Sequence, residues 1–253
     1  MTGSKKEHSE IPHTELRSRI INPSVSPLKK YQAFVTGTPS ILFLLQYEII
    51  TGLLGLLPGV VGLVGRKVAY PFLLKKMGKN VVFGRNVTIR HPKKIVIGDN
   101  VIIDDNCVLD AKGENNRGIT IGDNVFISRN SILSCKEGDI TLGTNTNIGT
   151  NCLIHSETTL TIGSHVLLAA YCYAVAGGTH DFSQTDKPII SQPSISKGGV
   201  RIEDDVWLGA GVTVLDGVAI ENGTIVGAGA VVSKSLPAYS IAQGIPAKVV
   251  KKR

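Results

Sequence analysis

The sequence predicts an all-β solenoid, and three observations predict it. Aliphatic residues recur at every sixth position over most of the chain. That interval fits neither the period of about 3.6 residues of a helix nor the two-residue period of a lone strand. Glycine is abundant, at 28 of 253 residues, while aromatic residues make up only 5%. Asp and Asn crowd the expected turns, as in Gly98-Asp99-Asn100, Gly122-Asp123-Asn124 and Glu203-Asp204-Asp205. One short strand per hexapeptide, three hexapeptides per triangular coil, accounts for all three.

The first 29 residues are polar, rich in Ser, Pro, Lys and Glu, and read as a loosely ordered tail. The extreme N-terminus carries no apolar segment of signal-peptide type, so a cytoplasmic protein is expected. Residues 30–76 form a basic, apolar, helical region. Its apolar stretches, 41–45 and 49–65, are bracketed by Lys29 and Lys30 on one side and Arg66 and Lys67 on the other. The uncharged run 49–65 contains Pro58 and several glycines and is at the short limit for a membrane span. Three readings stay open: a hairpin dipping into one leaflet, a transmembrane helix, and a helix pair packed on the solenoid or on a neighbouring subunit. Tyr70, Pro71, Phe72 and the cluster Lys75, Lys76 and Lys79 favour an interfacial anchor touching anionic lipid. The first 94 residues hold 15 Lys and Arg against 4 Asp and Glu, a balance of +11, whereas 95–253 hold 12 against 16, a balance of −4. Nucleic acid is not indicated, because no aromatic platform or binding motif accompanies the charge.

The solenoid is expected over 77–236. Its inward residues run through Met77, Phe83 and Ile89, then Ile97, Ile103 and Leu109, and so on to Ile220, Val226 and Val232. A second, smaller residue lies two positions before each, as with Val200, Val206, Val212, Val218, Thr224 and Ala230. Cys107, Cys152 and Cys172 share that small inward phase and read as buried reduced thiols. Cys135 falls in an interruption. A glycine often follows the aliphatic residue, as at Gly98, Gly122, Gly143, Gly163, Gly209 and Gly227. A tight bend or positive φ is the expected reason. Register slips only after Ile89, Leu109, Leu133, Ile154 and Ala174, so the insertions should stack along one edge of the triangle. The largest, 177–199, is long enough to be functional. A basic tail, 237–253, ends the chain.

The beat Ile121-Gly122-Asp123-Asn124-Val125-Phe126-Ile127, the segment Val206-Trp207-Leu208-Gly209-Ala210-Gly211 and the tail Gly244-Ile245-Pro246-Ala247-Lys248-Val249-Val250 resemble the hexapeptide-repeat acyltransferases. Within them, the galactoside, maltose and polysaccharide O-acetyltransferases are the nearest in pattern, over about residues 77–253. The resemblance implies a left-handed parallel β-helix, a homotrimer and acetyl-coenzyme A as acyl donor, with no metal. It makes His180, in Gly177-Gly178-Thr179-His180-Asp181-Phe182, the general base. A neutral imidazole can take the proton of an attacking hydroxyl at neutral pH. Asp181 or Asp186 could orient it. Trp207 would begin the pantetheine groove, with packing on a neighbouring subunit as its alternative. Ala210 and Ala228 would offer backbone groups to the pantetheine amides. Ser233 and Lys234 would lie near the nucleotide, and Lys248 and Lys251 would meet its phosphates, a solvated basic tail being the alternative for Lys251.

The resemblance and His180 imply an acetyl-coenzyme A-dependent O-acetyltransferase acting on a sugar hydroxyl, expected to belong to an envelope polysaccharide or lipid-linked glycan, and the basic, apolar N-terminal region places the expected activity at the inner face of the cytoplasmic membrane. The N-terminal region departs from the sugar acetyltransferases, which argues against a free soluble sugar as acceptor. N-acetylation and an acyl-carrier-protein donor stay open. Two rival classes are a non-catalytic membrane-tethered scaffold and a γ-class carbonic anhydrase using His155, His165 and His180 on zinc.

Overall fold

A computed structural model describes residues 9–11, 19–20 and 22–253, with only the backbone described for 9–11. Three parallel sheets form the faces of a triangular column. The first face runs from Lys76–Met77 to Ala219–Ile220, the second begins at Val82–Phe83, and the third runs from Thr88–Arg90 to Val231–Val232. Each strand pairs with its counterpart one coil away, as Ile132–Cys135 pairs with Leu153–Ser156 in register. Seven coils are complete, and the bridge from Ile220 to Leu236 with the strand Ser240–Gln243 adds part of an eighth. The arrangement fits the left-handed β-helix that the resemblance implies.

The six-residue beat is the core. From Ile97 to Val232, every aliphatic residue of the predicted inward phase is at most 1% exposed, and the smaller phase residues are also buried. Burying each Val, Leu or Ile contributes about 1.5–3 kcal/mol. Cys107, Cys152 and Cys172 are buried free thiols. Cys135 is also buried and ends the strand Ile132–Cys135 instead of lying in the corner insertion.

The corners rest on two devices. Asn80, Asn100, Asn124 and Asn145 adopt positive φ and stack along one edge. Each Nδ2 of the first three donates to the next Oδ1, at 3.1, 3.0 and 3.0 Å. Asp side chains take the turn amides, with Asp99 Oδ1 accepting from Lys79 N at 2.6 Å and Asp123 Oδ1 from Asp99 N at 2.7 Å. The glycines after the aliphatic residues serve a different purpose from the expected one. Gly98, Gly122, Gly143, Gly163, Gly209 and Gly227 are not at positive φ. Coil stacking excludes a side chain at Gly98, Gly143, Gly163 and Gly209: a Cβ on Gly143 would lie 2.5 Å from the Gly163 carbonyl carbon.

The N-terminal region caps the column. Helix α1 (Pro27–Val35) starts at the Ser26 cap, α2 (Ile41–Leu54) at the Ser40 cap, and α3 (Gly59–Ala69) follows Pro58. The backbone groups of the first coil that face away from the second have no preceding coil to pair with, and such an edge needs cover. Tyr47 Oη donates to Ile89 O at 2.7 Å, Arg66 Nε to Phe83 O at 3.0 Å, and His91 N to Val35 O at 2.9 Å. Arg66, which brackets the apolar run in the sequence, is wholly buried. Its Nη1 also donates to Leu54 O at 2.7 Å and Leu57 O at 2.9 Å, closing the turn between α2 and α3. Among the described residues no helix is long and apolar enough to cross a membrane. The tail expected over 1–29 falls partly outside the described residues, but Ser9–Ile11 is a strand and α1 begins at Pro27. At the C-terminus Lys248–Lys252 pairs antiparallel with Ser240–Gln243.

Candidate active site

The insertions all leave the third face and re-enter the first, so they share one edge of the column. The longest, 177–199, leaves after Tyr173–Ala176 and rejoins at Val200–Ile202. Within it, the short strand Thr179–His180 pairs antiparallel with Ser194–Ser196, which also pairs with Ser9–Ile11. His180 is half-buried, and its Nδ1 lies 3.4 Å from Gln192 O. A carbonyl only accepts, so this contact calls for the Nδ1–H tautomer. Nε2 is then the basic nitrogen, and it makes no hydrogen bond among the described residues.

Three buried polar side chains hold this loop. Glu157 Oε2 accepts from Gly178 N at 3.2 Å, two residues before His180. Asp216 accepts from Lys197 N at 2.6 Å, Gly199 N at 2.9 Å and Ser196 Oγ at 3.2 Å, fixing the far end. Gln192 Nε2 donates to Gln184 O at 2.8 Å and Lys187 O at 3.1 Å, and Gln192 Oε1 accepts from Gln184 N at 3.1 Å. Sequence reasoning missed all three. Asp and Glu are ordinary turn residues, and their partners lie about one coil away in the chain.

Burial pushes the Glu157 carboxyl up, but the His155 ring beside it, the hydrogen bond from Lys136 and the Lys136 charge outweigh it, so the pKa falls to about 2. Lys136 Nζ lies 2.6 Å from Glu157 Oε1. A carboxylate whose folded pKa is depressed contributes stability above its unfolded pKa. That stability is lost as pH falls towards the folded value. The contribution should therefore fade between about pH 4.5 and pH 2, and is on the order of 3 kcal/mol. In Glu157→Gln, urea unfolding followed across that window should show a correspondingly weaker acid dependence; an unchanged profile would remove Glu157 from the loop anchor.

Neither predicted orienting carboxylate hydrogen-bonds the imidazole. Asp181 is turned onto Ser183, accepting from its N at 2.9 Å and its Oγ at 3.1 Å, and these bonds hold its pKa below the usual range. Asp186 is exposed. The carbonyl of Gln192 is the group that meets the ring.

The residues expected to bind coenzyme A sort onto two edges and the C-terminal strand. Trp207 stands on the second face, 48% exposed. Ala210 and Ala228 lie at the corner between second and third faces, where Gly229 N donates to Ala210 O at 2.8 Å. Gly209 has no room for a side chain there, since a Cβ would lie 2.6 Å from Ala228 N. Ser233 and Lys234 are exposed at the insertion edge, beyond Val231–Val232. Lys248 and Lys251 are exposed on the C-terminal strand. Within one protomer the third face separates the Trp207–Ala210–Ala228 corner from the edge carrying His180. A cavity of about 640 Å³ lies elsewhere, between α1 and the first corner insertions, lined in part by Lys29, Gln32, His91 and Lys94.

The three histidines of the zinc rival occupy different settings. His155 leans on Glu157, with Nε2 at 3.7 Å, and His165 Nε2 ends the asparagine ladder 3.4 Å from Asn145 Nδ2. Among the described residues no group of three or more His, Cys, Asp or Glu could hold a metal ion.

Comparison with known proteins bears on this geometry. The family described as "Bacterial transferase hexapeptide (six repeats)" matches residues 199–234, and "Hexapeptide repeat of succinyl-transferase" matches 76–111. The chain is 34% identical over 186 residues to the "Putative colanic acid biosynthesis acetyltransferase WcaF" of Escherichia coli K12, covering 72% of this chain and 74% of WcaF. It is 40% identical over 117 residues to the "Probable acetyltransferase Rv3034c" of Mycobacterium tuberculosis, covering 46% of this chain and only 38% of that protein. Among solved structures, a point mutant of AntD, an N-acyltransferase from Bacillus cereus in complex with dTDP and coenzyme A, aligns with a TM-score of 0.51 and 26% identity, covering 72% of this chain and 86% of AntD. The repeat-built column and a relative matched over nearly three quarters of both chains lead to one conclusion: the protein belongs to the hexapeptide-repeat acyltransferase family.

Proposed function

We propose that the protein is an acetyl-coenzyme A-dependent O-acetyltransferase that modifies a sugar hydroxyl of an envelope polysaccharide or lipid-linked glycan precursor. The observation that carries the reading is His180. It lies on a loop clamped at both ends, with Nδ1 turned to a carbonyl and Nε2 left basic. In the reaction, Nε2 takes the proton as the hydroxyl oxygen attacks the thioester carbonyl. The carbon–sulfur bond then breaks, and the coenzyme A thiolate recovers the proton from the imidazolium. Backbone N–H groups of the Gly-rich corners supply donors for the oxyanion. Glu157, at the root of the loop, fixes the approach of Gly178 and with it the ring.

The separation of the two edges favours a site shared between subunits. In a homotrimer of left-handed β-helices, the insertion edge of one copy would face the Trp207–Ala210–Ala228 corner of the next. There the pantetheine arm would follow that corner, with Ser233, Lys234, Lys248 and Lys251 at the nucleotide end. Peripheral contact with the cytoplasmic face of an anionic membrane would bring the acceptor within reach. WcaF, by its name, works in colanic acid biosynthesis, which supports a polysaccharide acceptor. The likeness to AntD, an N-acyltransferase, supports a second reading, transfer to the amine of an amino sugar. The test is thiol release from acetyl-coenzyme A in the presence of membrane glycolipid extract. A product whose acetyl group is removed by hydroxylamine is an ester and supports O-transfer. A resistant product supports the amide, and no acceptor-dependent thiol release would overturn both.

A further inference from the structure

The helix pair α2–α3 has two unlike faces. One face carries the buried Leu44, Tyr47, Gly62 and Arg66 and meets the open edge of the first coil through Tyr47 and Arg66. The other looks away from the coils and is apolar. On α2 it presents Leu42, Leu45, Ile49 and Leu53 at helical spacing, and Val60, Val61, Val64 and Val68 continue it on α3. Leu42 is 80% exposed, Val60 74% and Val61 72%. Single exposed apolar residues need no explanation, but a continuous patch of this kind does.

The surroundings of the patch indicate what covers it. Lys67 lies on α3 itself, and Lys75, Lys76 and Lys79 follow it in the first coil; all are exposed, and none makes an ion pair among the described residues. Glu48, an acidic residue within α2, is engaged by Tyr31, whose hydroxyl donates to Oε1 at 2.7 Å. A second copy of the chain would bring the same positive fringe against itself. An anionic bilayer would complement it. Helix length sets the depth. At about 1.5 Å per residue, helices of 14 and 11 residues reach about 21 and 16 Å, short of a hydrocarbon core of about 30 Å. Such a pair lies in the interface with its apolar side down. The buried Arg66 keeps its charge out of the hydrocarbon while it closes the turn.

We propose that α2 and α3 form a monotopic hairpin that seats the first coil of the solenoid on an anionic membrane surface. Copies assembled with parallel coil axes would all present their hairpins at the same end. The loop of His180 leaves the fifth coil, four coil rises or about 19 Å above the first. An acceptor reached from that seat would be a glycan extended from its lipid rather than a sugar at the headgroup. This deepens the proposed function for its acceptor, but the membrane seat can be read without turnover.

The test is co-sedimentation of the full chain with phosphatidylcholine vesicles, with and without phosphatidylglycerol. Expected is binding to the anionic vesicles that weakens with salt and is at least about tenfold lower in Leu42→Ser/Leu53→Ser/Val61→Ser. Lys75→Glu/Lys76→Glu/Lys79→Glu should lose the preference for phosphatidylglycerol. Circular dichroism confirms that each variant is folded. No sedimentation of the wild type, or equal sedimentation of the serine variant, overturns the proposal. So does a serine variant that changes its oligomeric state by light scattering while still binding vesicles, which would mark the patch as a contact between copies.

Discussion

His180→Ala is expected to lower kcat/KM by roughly 10²–10⁴-fold, the usual worth of a general base, while KM for acetyl-coenzyme A changes little. The split follows from geometry. The ring is held by the Gln192 carbonyl on the insertion edge, whereas Trp207, Ala210 and Ala228 lie on a different edge, so removing the ring leaves their surface intact. Stability should also be nearly unchanged, because the loop is clamped by Glu157, Asp216 and Gln192 and not by His180. The measurement is thiol release under saturating donor, with thermal unfolding run in parallel. Undiminished turnover in the variant would remove His180 from the chemistry. It would leave the fold and the family membership standing.

The largest stability effect is expected at Arg66. In Arg66→Met the carbonyls of Leu57 and Phe83 lose their donor, while that of Leu54 keeps the Leu57 amide at 3.3 Å. Each buried polar group left unpaired costs about 1–3 kcal/mol, so the loss should come to about 2–6 kcal/mol. It should fall on the cap rather than on the column, whose coils carry their own core. Hydrogen exchange should therefore quicken across α2 and α3 while amides of the third to sixth coils stay protected. Arg66→Lys should recover only part, because a single ammonium cannot span carbonyls on both the helix turn and the coil. Unchanged exchange in α2 and α3 would show that packing alone holds the cap.

Much of the column was legible in the sequence. The beat named the inward residues one by one, and the slips after Ile89, Leu109, Leu133, Ile154 and Ala174 located the insertion edge on which His180 lies. What escaped were contacts made between coils. Glu157 reaches Gly178 across 21 positions, and Asp216 reaches Lys197 across 19. Insertions of unequal length break any fixed interval, so no spacing in the sequence marks such pairs. The glycines were misread for the same reason. Gly143 is required by its neighbour Gly163 in the next coil, not by its own φ.

Local periodicity decides whatever depends on one strand and its copies: the solenoid, its core and the edge that carries the long loop. A repeating side-chain phase can be read without knowing what it packs against. Tertiary structure decided the rest, because burial and hydrogen bonding depend on partners the chain brings in from elsewhere. Arg66 has the sequence of a flanking surface charge, yet the open carbonyl of Phe83 draws it inside. Asp181 has the sequence of a partner for His180, yet Ser183 takes its carboxylate first and the Gln192 carbonyl meets the ring. The same packing leaves Leu42, Leu53 and Val61 uncovered.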